Sequence, residues 1–131
     1  MGRSRERIEV AQKALEAFRE VMQIEHPNTI ERDAAIKRFE FTFEAVWKAA
    51  KDVLYDHDGI DAGSPKGVIR SCREVGVFDE EEPILALEMV DDRNLTVHTY
   101  NENLAAQIYS RLVAYKTLLE AWLDRLSRRF E

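Results

Sequence analysis

Three long stretches of this sequence place apolar residues at alternating steps of three and four, and no other feature constrains the fold as tightly. From about Ser4 to Ile24 the stripe is Ile8, Ala11, Leu15, Phe18 and Met22. From about Ile30 to Asp56 it is Ile36, Phe39, Phe43, Val46, Ala50 and Val53, widened by Trp47 and Leu54. From about Glu102 to Phe130 it is Ala105, Ile108, Leu112, Tyr115, Leu119, Trp122 and Leu126. A period near 3.6 gathers each set on one side of a helix, leaving charged residues such as Arg7, Glu9, Lys13, Glu16 and Arg19 for the other side. Strands would need alternation with a period of two. With only 5 Gly and 3 Pro, the chain also lacks the regular turn signals of a sandwich or barrel.

The shorter segments follow the same grammar. Pro27-Asn28-Thr29 breaks the first pattern, and Asn28 or Thr29 can cap the second helix. Asp56 to Gly63 contains Asp58-Gly59 and reads as a loop. Ser64-Pro65 is a helix start, with Ser as N-cap and Pro at the first helical position, and Gly76 marks that helix's end. Asp79 followed by Glu82 is a variant capping box before a fourth helix carrying Ile84, Leu87 and Val90. The expectation is an all-α chain, an antiparallel up-and-down four-helix bundle with one short accessory helix, forming a single domain over residues 1–131.

Composition narrows the function. A chain that is 45% hydrophobic and 34% charged is not disordered. No apolar run approaches the ~18 residues of a membrane span, and Arg3, Arg5, Glu6, Arg7 and Glu9 interrupt any secretory leader. Cys72 is the single cysteine, which excludes an intrachain disulfide and a cysteine-based zinc site and makes a cytoplasmic setting the expectation. A net charge of −6 gives no footprint for duplex DNA. No metal and no cofactor is expected.

One segment carries chemistry: Asp91-Asp92-Arg93-Asn94-Leu95-Thr96-Val97-His98-Thr99-Tyr100-Asn101. Arg93 is a permanent cation whose planar fork suits phosphate, and His98 can move protons near neutral pH. Together they are a minimal metal-free set for phosphodiester cleavage. On an ideal helix, however, they lie about 140° apart around the axis and about 7.5 Å along it. Asn94, His98 and Asn101 share one face, and Arg93, Val97 and Tyr100 another. A site using both Arg93 and His98 needs a helix break near Thr96, or a second subunit bringing its own copies. The β-branched Thr96, Val97 and Thr99 weaken a helix here, and Thr96 is a candidate N-cap. Plain readings stand beside this one: His98 as a hydrogen-bonded bundle residue, Arg93 as a surface ion pair with Asp91, Asp92 or Glu88, and Tyr100 as a packed ring. His26 and His57 read as surface residues, and the acid run from Asp79 to Glu82 as a solvated cap.

The motif resembles a known signature. Arg93-Asn94, three residues and His98 fit the R-x4-6-H pattern of the HEPN superfamily, and Tyr100 extends it to R-x4-H-x-Y, the form found in HEPN proteins paired with a minimal nucleotidyltransferase. From about Arg38 to Leu126 the chain is similar to the nucleotidyltransferase substrate-binding protein family. The similar parts are Arg38-Phe39-Glu40-Phe41-Thr42-Phe43-Glu44, the Ser64-Pro65 start and Arg73-Glu74-Val75-Gly76. The resemblance implies a HEPN-like bundle that forms a homodimer, with both motifs facing a shared cleft. It implies a separately encoded nucleotidyltransferase as partner in a toxin–antitoxin system, and a metal-independent ribonuclease site of Arg93 and His98 supported by Asn94. Tyr100 would be the acceptor through which the partner silences it by transferring AMP. The alternative is a non-catalytic partner that docks the transferase and holds nucleotide or substrate in its cleft. No Gly-Ser in the chain is followed by paired Asp ligands on a strand, the arrangement a transferase needs to hold two metals. Asp91 and Asp92 beside Arg93 oppose phosphate, a cost that Arg3, Arg5, Arg7, Arg125, Arg128 and Arg129 would offset if they gathered near the cleft.

Overall fold

The computed structural model describes residues 2–130, and four of its five α-helices begin at a capping side chain. Helix α1 (Gly2–Met22) is followed by α2 (Thr29–Asp58), α3 (Pro65–Glu74), α4 (Glu82–Leu95), a single 3-10 turn (Thr96–His98) and α5 (Glu102–Phe130). Asn28 caps α2 by accepting from the Glu31 N–H at 2.8 Å, while the Glu31 carboxylate accepts from the Asn28 N–H at 2.9 Å. Gly59 closes α2 with a φ of 69°, a left-handed conformation that glycine takes without steric cost. Ser64 caps α3 as expected, accepting from the Gly67 N–H at 3.1 Å. The Asp79–Glu82 capping pair is also formed. Asp79 accepts from the Glu82 N–H at 2.8 Å, and Glu82 accepts from the Asp79 N–H at 2.9 Å.

Long-range polar contacts give the helix directions. Ser4 donates to Asp56 and Thr42 donates to the Ala14 carbonyl, so α1 and α2 are antiparallel. Glu82 pairs with Arg125 and Asp92 with Arg111, so α4 and α5 are antiparallel too. The directions therefore alternate up and down through α1, α2, α4 and α5. The two longest helices, α2 and α5, nevertheless lie side by side and run parallel, since Arg32 meets Glu102 at one end and Asp58 meets Arg129 at the other. Helix α1 covers one side of this pair, and the short α3 and α4 share the other.

Phe18, Phe39, Phe43, Leu54, Tyr115 and Trp122 are buried in the core, with Phe39 stacked on Tyr115 at 5.3 Å between ring centroids. The expected stripes of α1, α2 and α5 point inward, except that Met22 and Trp47 are only partly buried and Val21 takes the interior place at the end of α1. Cys72 is a core residue whose thiol is pushed up to about 11 by burial, which keeps it protonated and unreactive. Helix α4 corrects the expected stripe. Ile84 is 70% exposed, and the interior positions are Pro83, Ala86, Met89 and Val90. With this face inward, Glu82 meets Arg125 of α5 at 2.7 Å. No helix among the described residues is long and apolar enough to cross a membrane.

Candidate functional site

The polar segment spans the junction of α4 and α5, and the chain breaks where its β-branched residues weaken the helix. Helix α4 ends at Leu95, and Thr96 opens the 3-10 turn. Thr96 is buried and donates at 2.7 Å to the Arg93 carbonyl, with the Glu40 carboxylate of α2 at 3.1 Å from its hydroxyl. Thr99 donates to the Thr96 carbonyl at 3.0 Å. Thr96 is therefore a pivot inside the break, and the cap of α5 is Asn101, which accepts from the Leu104 N–H at 3.2 Å.

This break separates the functional side chains into two groups. Arg93 projects onto α2, where its Nη2 donates to Glu44, and its Nη1 donates to the Asn94 side chain at 3.1 Å. His98 lies beyond the break, with its Nδ1 at 3.3 Å from the Tyr100 hydroxyl and the two rings edge to face at 5.8 Å. Asn94, His98 and Tyr100 are exposed, Tyr100 by 81%, whereas the Arg93 side chain is 31% accessible. Among the described residues Arg93 and His98 do not bond to each other. The faces drawn on an ideal helix do not exist, because the helix stops between them.

Acidic neighbours are arranged differently from the simplest reading of the sequence. Arg93 pairs with Glu44, not with Asp91, Asp92 or Glu88. Asp92 turns inward and accepts from Arg111 at 2.6 and 2.9 Å and from the Tyr115 hydroxyl at 2.5 Å. Burial, then Asp92 and Glu88, push the Tyr115 phenol far above its ordinary range and keep it a donor. The Arg111 guanidinium is held charged by its hydrogen bonds to Asp92. Asp91 meets Lys66 at 3.2 Å. Neither aspartate is thus an uncompensated anion beside Arg93. On α2, Glu44, the acceptor of Arg93, also meets Lys48 at 3.5 Å, and Glu40 meets Lys37 at 3.7 Å.

The terminal arginines do not gather here. Arg3 and Arg7 face Asp52, Arg125 binds Glu82 and Arg129 binds Asp58. Arg125 lies 14 residues beyond Arg111 on α5, about 21 Å along the axis, and marks the end of α4 opposite the motif. The motif itself gives no hint of Glu40, Glu44 and Lys48, although their i, i+4 spacing along an aromatic helix places them on one polar edge.

Residues 6–128 match the family described as nucleotidyltransferase substrate binding protein like. The chain belongs to this family. The HEPN-type motif agrees with that membership. A curated relative, the probable ribonuclease HepT of Haemophilus influenzae, is 28% identical over 99 residues, which is 72% of this chain and 66% of that protein. The chain thus spans just under two thirds of the length of that relative. A crystal structure of a Thermus thermophilus protein superposes with a TM-score of 0.86 at 56% identity, covering 88% of this chain and 98% of that one. A Haemophilus influenzae protein, whose structure is described as the fold of a substrate binding domain of a nucleotidyltransferase, superposes at a TM-score of 0.78. It is 21% identical, covers 92% of this chain and 98% of its own, and so shares the fold of this substrate-binding-like family.

Proposed function

We propose that this chain is the HEPN-type subunit of a two-protein toxin–antitoxin system, acting with a separately encoded minimal nucleotidyltransferase. In this reading it forms one domain, works as a cytoplasmic homodimer and cleaves single-stranded RNA without a metal. The observation that carries the proposal is the break at Thr96. It leaves His98 exposed at the end of the 3-10 turn with Tyr100 exposed two residues later, and anchors Arg93 against α2 at the same end of the bundle. The name of the Haemophilus influenzae relative, a probable ribonuclease, supports the same chemistry.

The step follows from the residue types. His98 takes the proton of a ribose 2′-hydroxyl, whose oxygen attacks the adjacent phosphorus. Arg93 stabilises the charge that grows on the phosphorus-bound oxygens, with Asn94 steadying its guanidinium. The 5′-oxygen leaves with a proton returned by the partner subunit's His98. Leu95, Val97 and Tyr100 are exposed apolar residues flanking His98, and they supply the surface on which a second copy would close the cleft. Tyr100 is the acceptor for AMP from the transferase, which would silence the site.

A second reading, a non-catalytic subunit that presents nucleotide or substrate to the transferase, draws on the Arg93–Glu44 pair, which already partly neutralises the phosphate-binding cation. RNA incubated with purified protein and a chelator separates the two. Cleavage lost in both Arg93→Ala and His98→Ala, with unchanged melting temperatures, supports the nuclease, whereas nucleotide binding without cleavage supports the second reading. After incubation with the transferase and ATP, an AMP adduct absent from Tyr100→Phe supports the silencing step. An adduct that persists in that variant refutes it.

A further inference from the structure

We propose that Glu44 is the positioning residue for Arg93, holding the guanidinium in the orientation in which its remaining N–H groups meet a phosphate. The inference rests on the ribonuclease reading and names a residue of the site that the motif itself does not contain. Glu44 lies on α2, 49 positions from Arg93 in sequence, and accepts from Arg93 Nη2. It is itself held by its own helix. The Trp47 Nε1 donates to Glu44 Oε1 at 3.2 Å, and the Lys48 ammonium is 3.5 Å from Glu44 Oε2. An acceptor fixed from two sides can impose one orientation on a flexible arginine, which an exposed carboxylate on a free stem cannot do.

The donor count fits this role. A guanidinium has five N–H groups. Glu44 and Asn94 take one each from Nη2 and Nη1. Among the described residues the other three have no partner, so a phosphate can bind without displacing Glu44. Glu40, one turn earlier, holds its carboxylate 3.1 Å from the Thr96 hydroxyl. Successive carboxylates of α2 therefore fasten both sides of the break, Glu44 setting the cation and Glu40 the pivot from which the His98 turn departs. The Glu44 side chain is 26% accessible and Arg93 31%, so the pair is shielded enough to be geometrically defined and open enough for a substrate to reach.

Positioning and simple charge make opposite predictions. Removing a carboxylate raises the local positive charge, so Glu44→Ala should bind RNA as well as or better than the wild type. If Glu44 orients Arg93, the same variant should lose about 10²-fold in kcat, the cost typical of a misplaced catalytic group. Glu44→Gln retains the acceptor oxygen and should stay within about threefold of the wild-type kcat. A merely structural role would lower the melting temperature and would not split kcat from KM in this way. Glu44→Ala turning over at the wild-type kcat would overturn the proposal.

A second readout does not need cleavage. In protein labelled with ¹⁵N-arginine, the Arg93 side-chain signals are identified by their loss in Arg93→Lys. Hindered guanidinium rotation and slow N–H exchange are expected in the wild type and in Glu44→Gln, with fast exchange in Glu44→Ala. Equal, fast exchange in all three would overturn the positioning role even with cleavage intact. If the wild type cleaves no RNA, the ribonuclease reading fails, and these signals still decide whether Glu44 holds Arg93.

Discussion

Arg111→Met is the substitution that most severely tests how this bundle anchors its motif. Asp92 is buried with its side chain 5% exposed, and Arg111 meets both of its carboxylate oxygens, at 2.6 and 2.9 Å. Methionine preserves the aliphatic stem and removes the cation, leaving the carboxylate with the Tyr115 hydroxyl as its donor. Breaking a buried pair from one side costs about 3–5 kcal/mol. Arg111 is 35% exposed, so the lower end, about 3 kcal/mol, applies here. Against a total stability of about 5–15 kcal/mol this is large, and for a chain of this size it corresponds to roughly 10–15 °C in Tm. Urea unfolding followed by far-UV circular dichroism would measure it as a lower midpoint at unchanged slope. The double variant Asp92→Leu/Arg111→Met removes both charges and should recover most of the loss, because Tyr115 still has Glu88 as acceptor at 3.0 Å. A loss below about 1 kcal/mol in the single variant, or a double variant as unstable as the single one, would refute the reasoning.

Three further predictions probe the frame around the site. Asn28→Ala removes one half of the reciprocal cap on α2 and should cost about 1 kcal/mol in the same assay. On α4, Met89→Ala should cost about 2–5 kcal/mol while Ile84→Ser stays within about 0.5 kcal/mol, since Met89 is buried and Ile84 is 70% exposed. Acid should weaken the α2–α5 pair. The hydrogen bonds from Arg129 and Arg32 hold the Asp58 and Glu102 carboxyls below their ordinary ranges, so their contribution is complete above the unfolded pKa values and is lost as pH falls through the folded ones. Melting temperatures followed from about pH 6 down to about pH 2 should therefore fall less steeply in Arg129→Gln and Arg32→Gln than in the wild type.

The long helices could be read from the sequence because their stripes repeat over many turns and their ends carry capping residues. Asn28, Ser64 and the Glu102 start of α5 all stand where the spacing placed them. Helix α4 was misphased for a physical reason. Pro83, Ile84, Leu85, Ala86, Leu87, Met89 and Val90 are apolar almost all round, so periodicity does not choose a face, and the contacts α4 makes, such as Glu82 with Arg125, are with residues far away in sequence. The parallel contact of α2 and α5 likewise joins residues some 70 positions apart, such as Arg32 with Glu102 and Asp58 with Arg129, which no local pattern reveals. At the site, the residue types and the weak point at Thr96 were evident in sequence. The partner of Arg93 and the inward turn of Asp92 were not, because both depend on which helix lies opposite the end of α4.

The central claim is that Arg93 and His98 cleave RNA through its own 2′-hydroxyl, and the chemistry of the product ends tests it most directly. Purified protein is incubated with a defined single-stranded RNA in excess chelator, and the fragments are identified by mass. The account predicts 2′,3′-cyclic phosphate and 5′-hydroxyl ends, absent with Arg93→Ala and with His98→Ala although both variants melt like the wild type. Fragments ending in a 3′-hydroxyl, intact RNA with the wild-type protein, or unchanged cleavage by either variant would contradict it.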